Sequence, residues 1–205
     1  MSLEPTARVI KLPKPRYHSD TALETTLLKR RSIREYKNHV LTISDVSQLL
    51  WAAQGINDKK NKYRTTPSAG ALYPLEIYVL NGNSEGIDKG IYKFRPFYHD
   101  LIQTGVQDVI RELSQAALYQ EWMVNAAMVL VITADYQRTT KWYGQRGRQY
   151  VLMEAGHAAQ NIHLQCVALD LGTVVIGAFD DDLVSGCLDL PDNEDPVCIM
   201  PVGKY

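Results

Sequence analysis

The sequence predicts an α+β fold, a β-sheet flanked by helices. Three observations carry that prediction. Helical and strand patterns are mixed along the chain, without the regular βαβ alternation of a doubly wound sheet. Residues 127–134 (AMVLVITA) are apolar almost throughout, as in a strand covered on both faces. Residues 148–179 begin as an unusually apolar helix and end in a β-branched run between Gly172 and Gly177. A helix so poor in charge belongs at the centre of a core or in a subunit interface.

Each element follows from local signals. Residues 1–20 hold Pro5, Pro13 and Pro15 and are expected to form an extended arm, with 21–205 as one domain. Ser19 and Asp20 suit the cap of a helix running through Arg30, with Leu23, Leu27 and Leu28 at helical spacing. Thr42-Ile-Ser-Asp45 opens a second helix, read with Ser44 as its cap. Val46, Leu49, Leu50 and Ala53 form its inner face, and Gly55 ends it. The polar, basic residues 57–66 read as a loop and 67–74 as a turn-rich segment. Strands are expected at 75–80 and 91–94, separated by a turn. Residues 106–118 place Val109, Leu113 and Ala117 on one helical face, and 122–126 form a short helix before the central strand. The long helix then leads to a strand at 173–178. Asp180, Asp181 and Asp182 open a further helix, their carboxylates complementing its N-terminal dipole. Residues 197–202 form the last strand.

Bulk properties exclude several functions. A length of 205 residues and an apolar fraction of 45% suit one domain with a sizeable core. A net charge of −1 gives no reason to expect nucleic acid or an anionic membrane as main partner. Cys166, Cys187 and Cys198 are odd in number and widely spaced, as free thiols in a reducing compartment are. The N-terminus has no apolar h-region. Residues 148–172 are long enough to span a bilayer, but Glu154, His157, Asn161 and Asp170 argue against it. A cytoplasmic location is expected.

Few motifs carry chemistry. Arg30-Arg31-Ser32-Ile33-Arg34 ends the first helix, where cations complement the helix carbonyls. Guanidinium forks there would equally suit a phosphate. Pro67-Ser68-Ala69-Gly70-Ala71-Leu72-Tyr73-Pro74 is either a rigid turn or a loop whose backbone approaches a ring system. Glu154 and His157 have the spacing of half a di-metal carboxylate site. No second Glu-x-x-His exists, so no metal is expected, and Glu154, His157 and Asn161 read as a satisfied buried network, with His163 also structural. No Walker loop, Gly-x-Ser-x-Gly, His-Glu-x-x-His or Gly-x-Gly-x-x-Gly is present, which removes a Rossmann-type nicotinamide site.

Taken together, the segments resemble the FMN-dependent nitroreductase superfamily, and its SagB-type dehydrogenase branch most of all. The resemblance rests on Arg30 to Tyr36, the 67–74 segment, Tyr143-Gly144-Gln145-Arg146-Gly147 and Glu154-Ala155-Gly156-His157-Ala158-Ala159-Gln160-Asn161. It continues through Leu171-Gly172-Thr173, Ile176-Gly177-Ala178-Phe179-Asp180-Asp181 and Pro201-Val202-Gly203, in collinear order over residues 23–203. It implies a three-layer α-β-α sandwich with a mixed, mostly antiparallel sheet, a long buried central helix and an intertwined homodimer with FMN at the interface. Arg30, Arg31, Ser32 and Arg34 fall where the family holds the phosphate and pyrimidine side. Pro67, Ser68, Ala69 and Gly70 fall where the partner subunit covers the ring. Ile176, Gly177 and Ala178 fall at the N5 and O4 edge, Gln120 at a polar position before the central strand, and Lys204 at a phosphate position beyond the last strand.

The implied activity is ping-pong hydride transfer between a nicotinamide donor and a small organic acceptor such as a nitroaromatic or quinone. Tyr143 is the catalytic candidate; Tyr143 and Tyr73 either line the cleft or pack as ordinary aromatics. An alternative is a SagB-type dehydrogenase oxidising a modified peptide or another C–N substrate, with oxygen reoxidising the flavin. Azoline-oxidising members place Lys beside Tyr, whereas here Trp142 separates Lys141 from Tyr143, which argues against that chemistry. A flavin-binding protein without turnover is the non-enzymatic alternative.

Overall fold

The computed structural model describes residues 8–205. Residues 1–7 of the expected arm lie outside the described residues. From Val9 to Lys11 the arm is a strand, β1, on the sheet edge, and 12–20 have no regular structure. Helix α1 (Leu23–Lys29) starts later than the sequence suggested. Ser19 Oγ accepts the N–H of Thr21 at 3.0 Å, which makes a local turn instead of a helix cap. Helix α2 (Ile43–Gln54) is capped by Thr42, not Ser44. Asp45 at the third helical position returns the bond to the Thr42 N–H, a reciprocal arrangement open only to that pair. The expected loop after it is a small hairpin, β2 (Ile56–Asp58) and β3 (Tyr63–Arg64). Its turn is held by the Asp58 carboxylate accepting the N–H groups of Lys60 and Asn61.

The main sheet comprises β1, β4 (Leu75–Asn81), β5 (Gly90–Arg95), β6 (Asp100–Gly105), β7 (Met128–Ala134), β8 (Gly172–Thr173) and β9 (Asp195–Gly203). Their order is β1-β6-β5-β4-β7-β9-β8. Every ladder in it is antiparallel, and among the described residues parallel pairing occurs only in isolated bridges such as Ser32 with Thr173. Alternation along the central strands sorts the core into two layers. Ile77, Val79, Met128, Leu130 and Ile132 pack with α2 and α5 (Arg146–Ala168). Tyr78, Leu80, Val129 and Val131 pack with α3 (Ile110–Ala116) and α6 (Asp181–Leu188). The result is the three-layer sandwich that the resemblance implied.

The long helix differs from expectation at both ends. A separate helix α4 (Tyr136–Tyr143) precedes it, and Gly144, at φ 55°, breaks the two apart. Helix α5 stops at Ala168 because Asp170 turns left-handed at φ 57°. Leu171 N–H then reaches back to Cys166 O at 2.8 Å and Asp170 N–H to Val167 O at 3.1 Å, closing a Schellman motif. One face of α5 is buried through Val151, Glu154, Ala155, Ala158, Ile162 and Cys166; Leu152 and Met153 on the other face stay more than half exposed. The strand expected at 173–178 is a ladder only at β8, followed by a single bridge between Ile176 and Ile199.

Candidate functional site

Residues 30–37 leave α1 and run along the outer edge of β8. Ile33 N–H donates to Thr173 O at 3.0 Å, and Lys37 N–H donates to Lys204 O at 2.8 Å. This approach needs a glycine: a Cβ on Gly172 would lie 2.7 Å from Ile33 Cγ2. Tyr36 anchors the segment, its hydroxyl 2.8 Å from Ile33 O and 3.2 Å from Pro201 O, and burial raises its pKa well above the ordinary tyrosine value. Arg31 behaves as a helix-terminal cation, with Nη1 donating to Leu28 O at 3.1 Å and Arg30 O at 2.7 Å. Arg30 and Arg34 differ from it. Among the described residues, neither guanidinium has a carboxylate or carbonyl partner. Ser32, Arg34, Tyr36, Lys37 and Tyr205 line a cleft of about 450 Å³. A larger cleft of about 740 Å³, bordered by Asn38, Lys89 and Arg111, shares Tyr36 with it but contains none of the candidate cofactor-binding residues.

Beyond β8 the chain passes Ile176, Gly177 and Ala178. Ile176 N–H is engaged, donating to Ile199 O at 2.8 Å. The N–H groups of Gly177 and Ala178 have no acceptor among the described residues, and a Cβ on Gly177 would meet nothing within 4 Å. Gln120 precedes a short 3-10 turn (Glu121–Asn125). Its segment is tied to α6 by Asp180 N–H on Ala116 O at 2.9 Å, and to the arginine segment by Trp122, whose ring centroid is 6.2 Å from that of Tyr36. Lys204 does not offer a free cation, because its ammonium pairs with Asp170.

Pro67, Ser68, Ala69 and Gly70 form a second group, in the segment before β4, packed against another part of α5. Gly70 sits at φ 61°, and a Cβ there would lie 2.8 Å from Tyr143 Oη, so Tyr143 stands directly against this loop. Tyr143 also packs edge-on to Tyr150 at 5.2 Å and remains 40% exposed. Tyr73 is pinned from several sides. Its N–H donates to Ser68 Oγ at 2.9 Å, its hydroxyl accepts Arg64 N–H at 3.1 Å, and the Arg64 guanidinium lies 4.5 Å from its ring centroid. That engagement makes Tyr73 a packed aromatic.

The network expected around Glu154, His157 and Asn161 does not form. His157 is exposed, while Asn161 donates to Ala52 O at 3.0 Å and Thr66 Oγ1 at 3.2 Å. Glu154 is buried among partners that sequence reasoning missed: Arg64, Gln54 and Ser68. Burial raises its carboxyl to about 7, against the opposing influence of Ser68, Arg64 and Gln54. His163 is pushed down to about 4 by burial and by the nearby Arg30. Glu154 therefore marks the loop end of α5 and His163 the arginine end. From 154 to 163 the helix rises roughly 14 Å, so one chain keeps its two groups apart.

Comparison with known proteins gives a consistent picture. A family model described as the nitroreductase family matches residues 27–204. A protein of Methanocaldococcus jannaschii named as a nitroreductase is 46% identical over 182 residues, covering 89% of this chain and 90% of its own. The microcin B17-processing protein McbC of Escherichia coli is 28% identical over 157 residues. That match covers 73% of this chain but only 57% of McbC. A crystal structure of a protein named as a nitroreductase from Ralstonia eutropha superposes with a TM-score of 0.86 at 28% identity, covering 100% of this chain and 92% of that one.

Proposed function

The chain belongs to the nitroreductase family and is an oxidoreductase of that family; on that premise we propose that it binds FMN across a homodimer and passes hydride from a nicotinamide donor to a small organic acceptor. The observation that carries the reading is the pair of unengaged guanidiniums, Arg30 and Arg34, on the strand edge that leads to two unengaged amides, Gly177 and Ala178. Free cations and free N–H donors with no protein acceptor suit an anionic, planar ligand, so the residues fit FMN. FMN, when bound, supplies the two-electron chemistry. Arg30 and Arg34, with Ser32, would hold its phosphate and pyrimidine side. Gly177 and Ala178 would donate to the N5 and O4 edge, where Ile176, its own N–H engaged, supplies only shape. Gln120 and Arg31 would border the same region, and Lys204 would contribute only if it left Asp170.

The partner's Pro67, Ser68, Ala69 and Gly70 would cover the ring, with the partner's Tyr143 behind them. Apolar side chains exposed on α1 and α5, among them Leu27, Leu28, Leu152 and Met153, supply surface for that association. Donor and acceptor would then enter the same cleft in turn. Positioning, rather than one essential side chain, would supply most of the rate.

A second reading is favoured by the likeness to McbC: oxidation of a modified peptide or other C–N substrate. Against the azoline version stands α4, where Lys141 and Tyr143 are two residues apart and so do not share a helix face. Anaerobic mixing of the yellow protein with NADH and NADPH separates the readings. Rapid bleaching followed by acceptor-dependent recovery supports nicotinamide-driven turnover. Bound FMN that neither nicotinamide reduces would refute it.

A further inference from the structure

Glu154 has no part in the reading above, yet among the described residues it is the one acid buried beside the 67–70 loop. It is 2% exposed, and its Oε1 has no hydrogen-bond partner; the Nε2 of the neighbouring Gln54, 1% exposed, has none either. Ser68 lies near the same carboxyl, and Ser68 Oγ already accepts Tyr73 N–H at 2.9 Å. A serine hydroxyl has one hydrogen and two acceptor positions. With one acceptor position occupied by Tyr73, the state of Glu154 decides what remains. An ionised Glu154 can only accept, so it takes the Ser68 hydrogen and leaves a lone pair facing outward. A protonated Glu154 can donate into that lone pair and leaves the Ser68 hydrogen facing outward.

We propose that Glu154 is a positioning residue that sets, through Ser68, whether the 67–70 loop presents a donor or an acceptor to the ring it covers, and thereby couples its own proton to the charge on that ring. The inference rests on the FMN reading. The coupled step is the transfer of one proton from solvent to a Glu154 carboxylate oxygen when the ring gains negative charge, and its return when that charge leaves. No bond other than O–H forms or breaks at Glu154.

The charged and titratable groups around Glu154 are compatible with this. Arg64 faces it from β3, and is itself held by Gln54 Oε1 at 3.0 Å and by the Tyr73 ring. Glu76 on β4 and Arg138 on α4 pair with each other at 2.6 Å, and act on Glu154 through Arg64. On its own helix, Tyr150 lies one turn before and the exposed His157 one turn after. A carboxyl with one nearby cation and a burial penalty titrates near neutrality, at about 7.

The test is a redox-difference infrared spectrum of the FMN-loaded protein together with the midpoint potential of its flavin as a function of pH. Reduction should add a carboxylic-acid C=O band in the wild type. The potential should fall more steeply with pH above about 7 than below it. Glu154→Gln, which has no titrating proton, should lose both the band and the break in slope. Glu154→Asp should keep both at a shifted pH, and Ser68→Ala should lose the break in the potential. If Glu154→Gln fails to fold, the Glu154→Asp and Ser68→Ala comparison carries the same information. Protein that never binds FMN would overturn the FMN reading and this inference with it. Yellow protein whose pH profile is the same in the wild type, Glu154→Gln and Ser68→Ala would overturn this inference alone.

Discussion

Replacing Arg30 and Arg34 together by alanine isolates the charge that the cleft offers an anion. Neither guanidinium is bonded within the described chain, so their removal strands no carboxylate. The end of α1 is also preserved, because Arg30 N–H still reaches Thr26 O at 2.9 Å and Arg31 still caps Leu28. Folding should therefore change by no more than about 0.5 kcal/mol, as at an ordinary surface site. Ligand binding should change far more. Each charge-assisted hydrogen bond contributes about 1.5–3 kcal/mol, so the pair contributes roughly 3–6 kcal/mol. At 1.4 kcal/mol per tenfold, FMN affinity should fall by about two to four powers of ten. The assay is a flavin-fluorescence titration of flavin-stripped protein at fixed low salt, beside a thermal melt and a sedimentation profile. Wild-type affinity should also weaken as salt rises, and that of the double variant less so. A folded double variant whose affinity is within about tenfold of the wild type refutes the phosphate assignment.

Three further outcomes follow from single contacts. Gly70→Ala must hold a left-handed backbone against Tyr143 Oη and should destabilise the chain by about 1–2 kcal/mol, read as a lower denaturation midpoint. An unchanged midpoint would show that the loop can refold around the methyl. Gly177→Ala should leave the melt unchanged, since its Cβ meets nothing in the chain, yet weaken FMN by about 1–3 kcal/mol through crowding of the ring. Equal FMN affinity would remove Gly177 from the site. The pH dependence of stability tests His163 and Glu154 as an opposing pair. His163 is depressed from 6.5 to about 4, so its stabilising contribution is full above 6.5 and is lost as pH falls towards 4. Glu154 is raised from 4.5 to about 7, so its contribution is full below 4.5 and is lost as pH rises towards 7. The two nearly cancel in the wild type. Glu154→Gln should unmask a melting temperature that rises with pH between 4.5 and 6.5, and a flat profile in that variant would contradict the burial of His163 as a neutral ring.

The parts of the fold that were legible in the sequence are those whose signal is local. Apolar runs such as 128–134 declare themselves, and so do the carboxylate at Asp180 and the collinear motifs of the family. What was missed depends on partners distant in sequence. Strand β6 opens on Asp100, a residue that argues against a buried strand until Arg95 is seen to grip it through two bonds at 2.8 and 2.9 Å. Strand β1 is three residues beside a proline-rich stretch and exists because β6 offers it an edge. Helix α4 is polar along its length and merges with α5 in any periodicity count, and only Gly144 divides them. In the site, the resemblance put Ile176 at the N5 and O4 edge, but its N–H is taken by Ile199, 23 residues further along the chain. Glu154 stood out as a polar residue inside an apolar run, whereas Arg64, Gln54 and Ser68 came from other elements and could not be paired with it in advance.

Helix α5 explains why a composition that pointed either to a core or to an interface need not choose. Its buried face, from Val151 to Cys166, fills the layer beneath the sheet, and its other face leaves Leu152 and Met153 open. The same helix lies beside the arginine group at its His163 end and beside the 67–70 loop at its Glu154 end. Because a helix is stiff over that length, no rotation of side chains brings the two ends to one ligand. A second copy related by a two-fold axis would do so, since an isologous contact sets the first end of one chain against the second end of the other and repeats the match symmetrically. The apolar surface, the separation of the two groups and the unengaged guanidiniums are thus one arrangement. In the homodimer proposed above, a second chain would cover the apolar surface and bring the two groups together, and FMN would engage the guanidiniums.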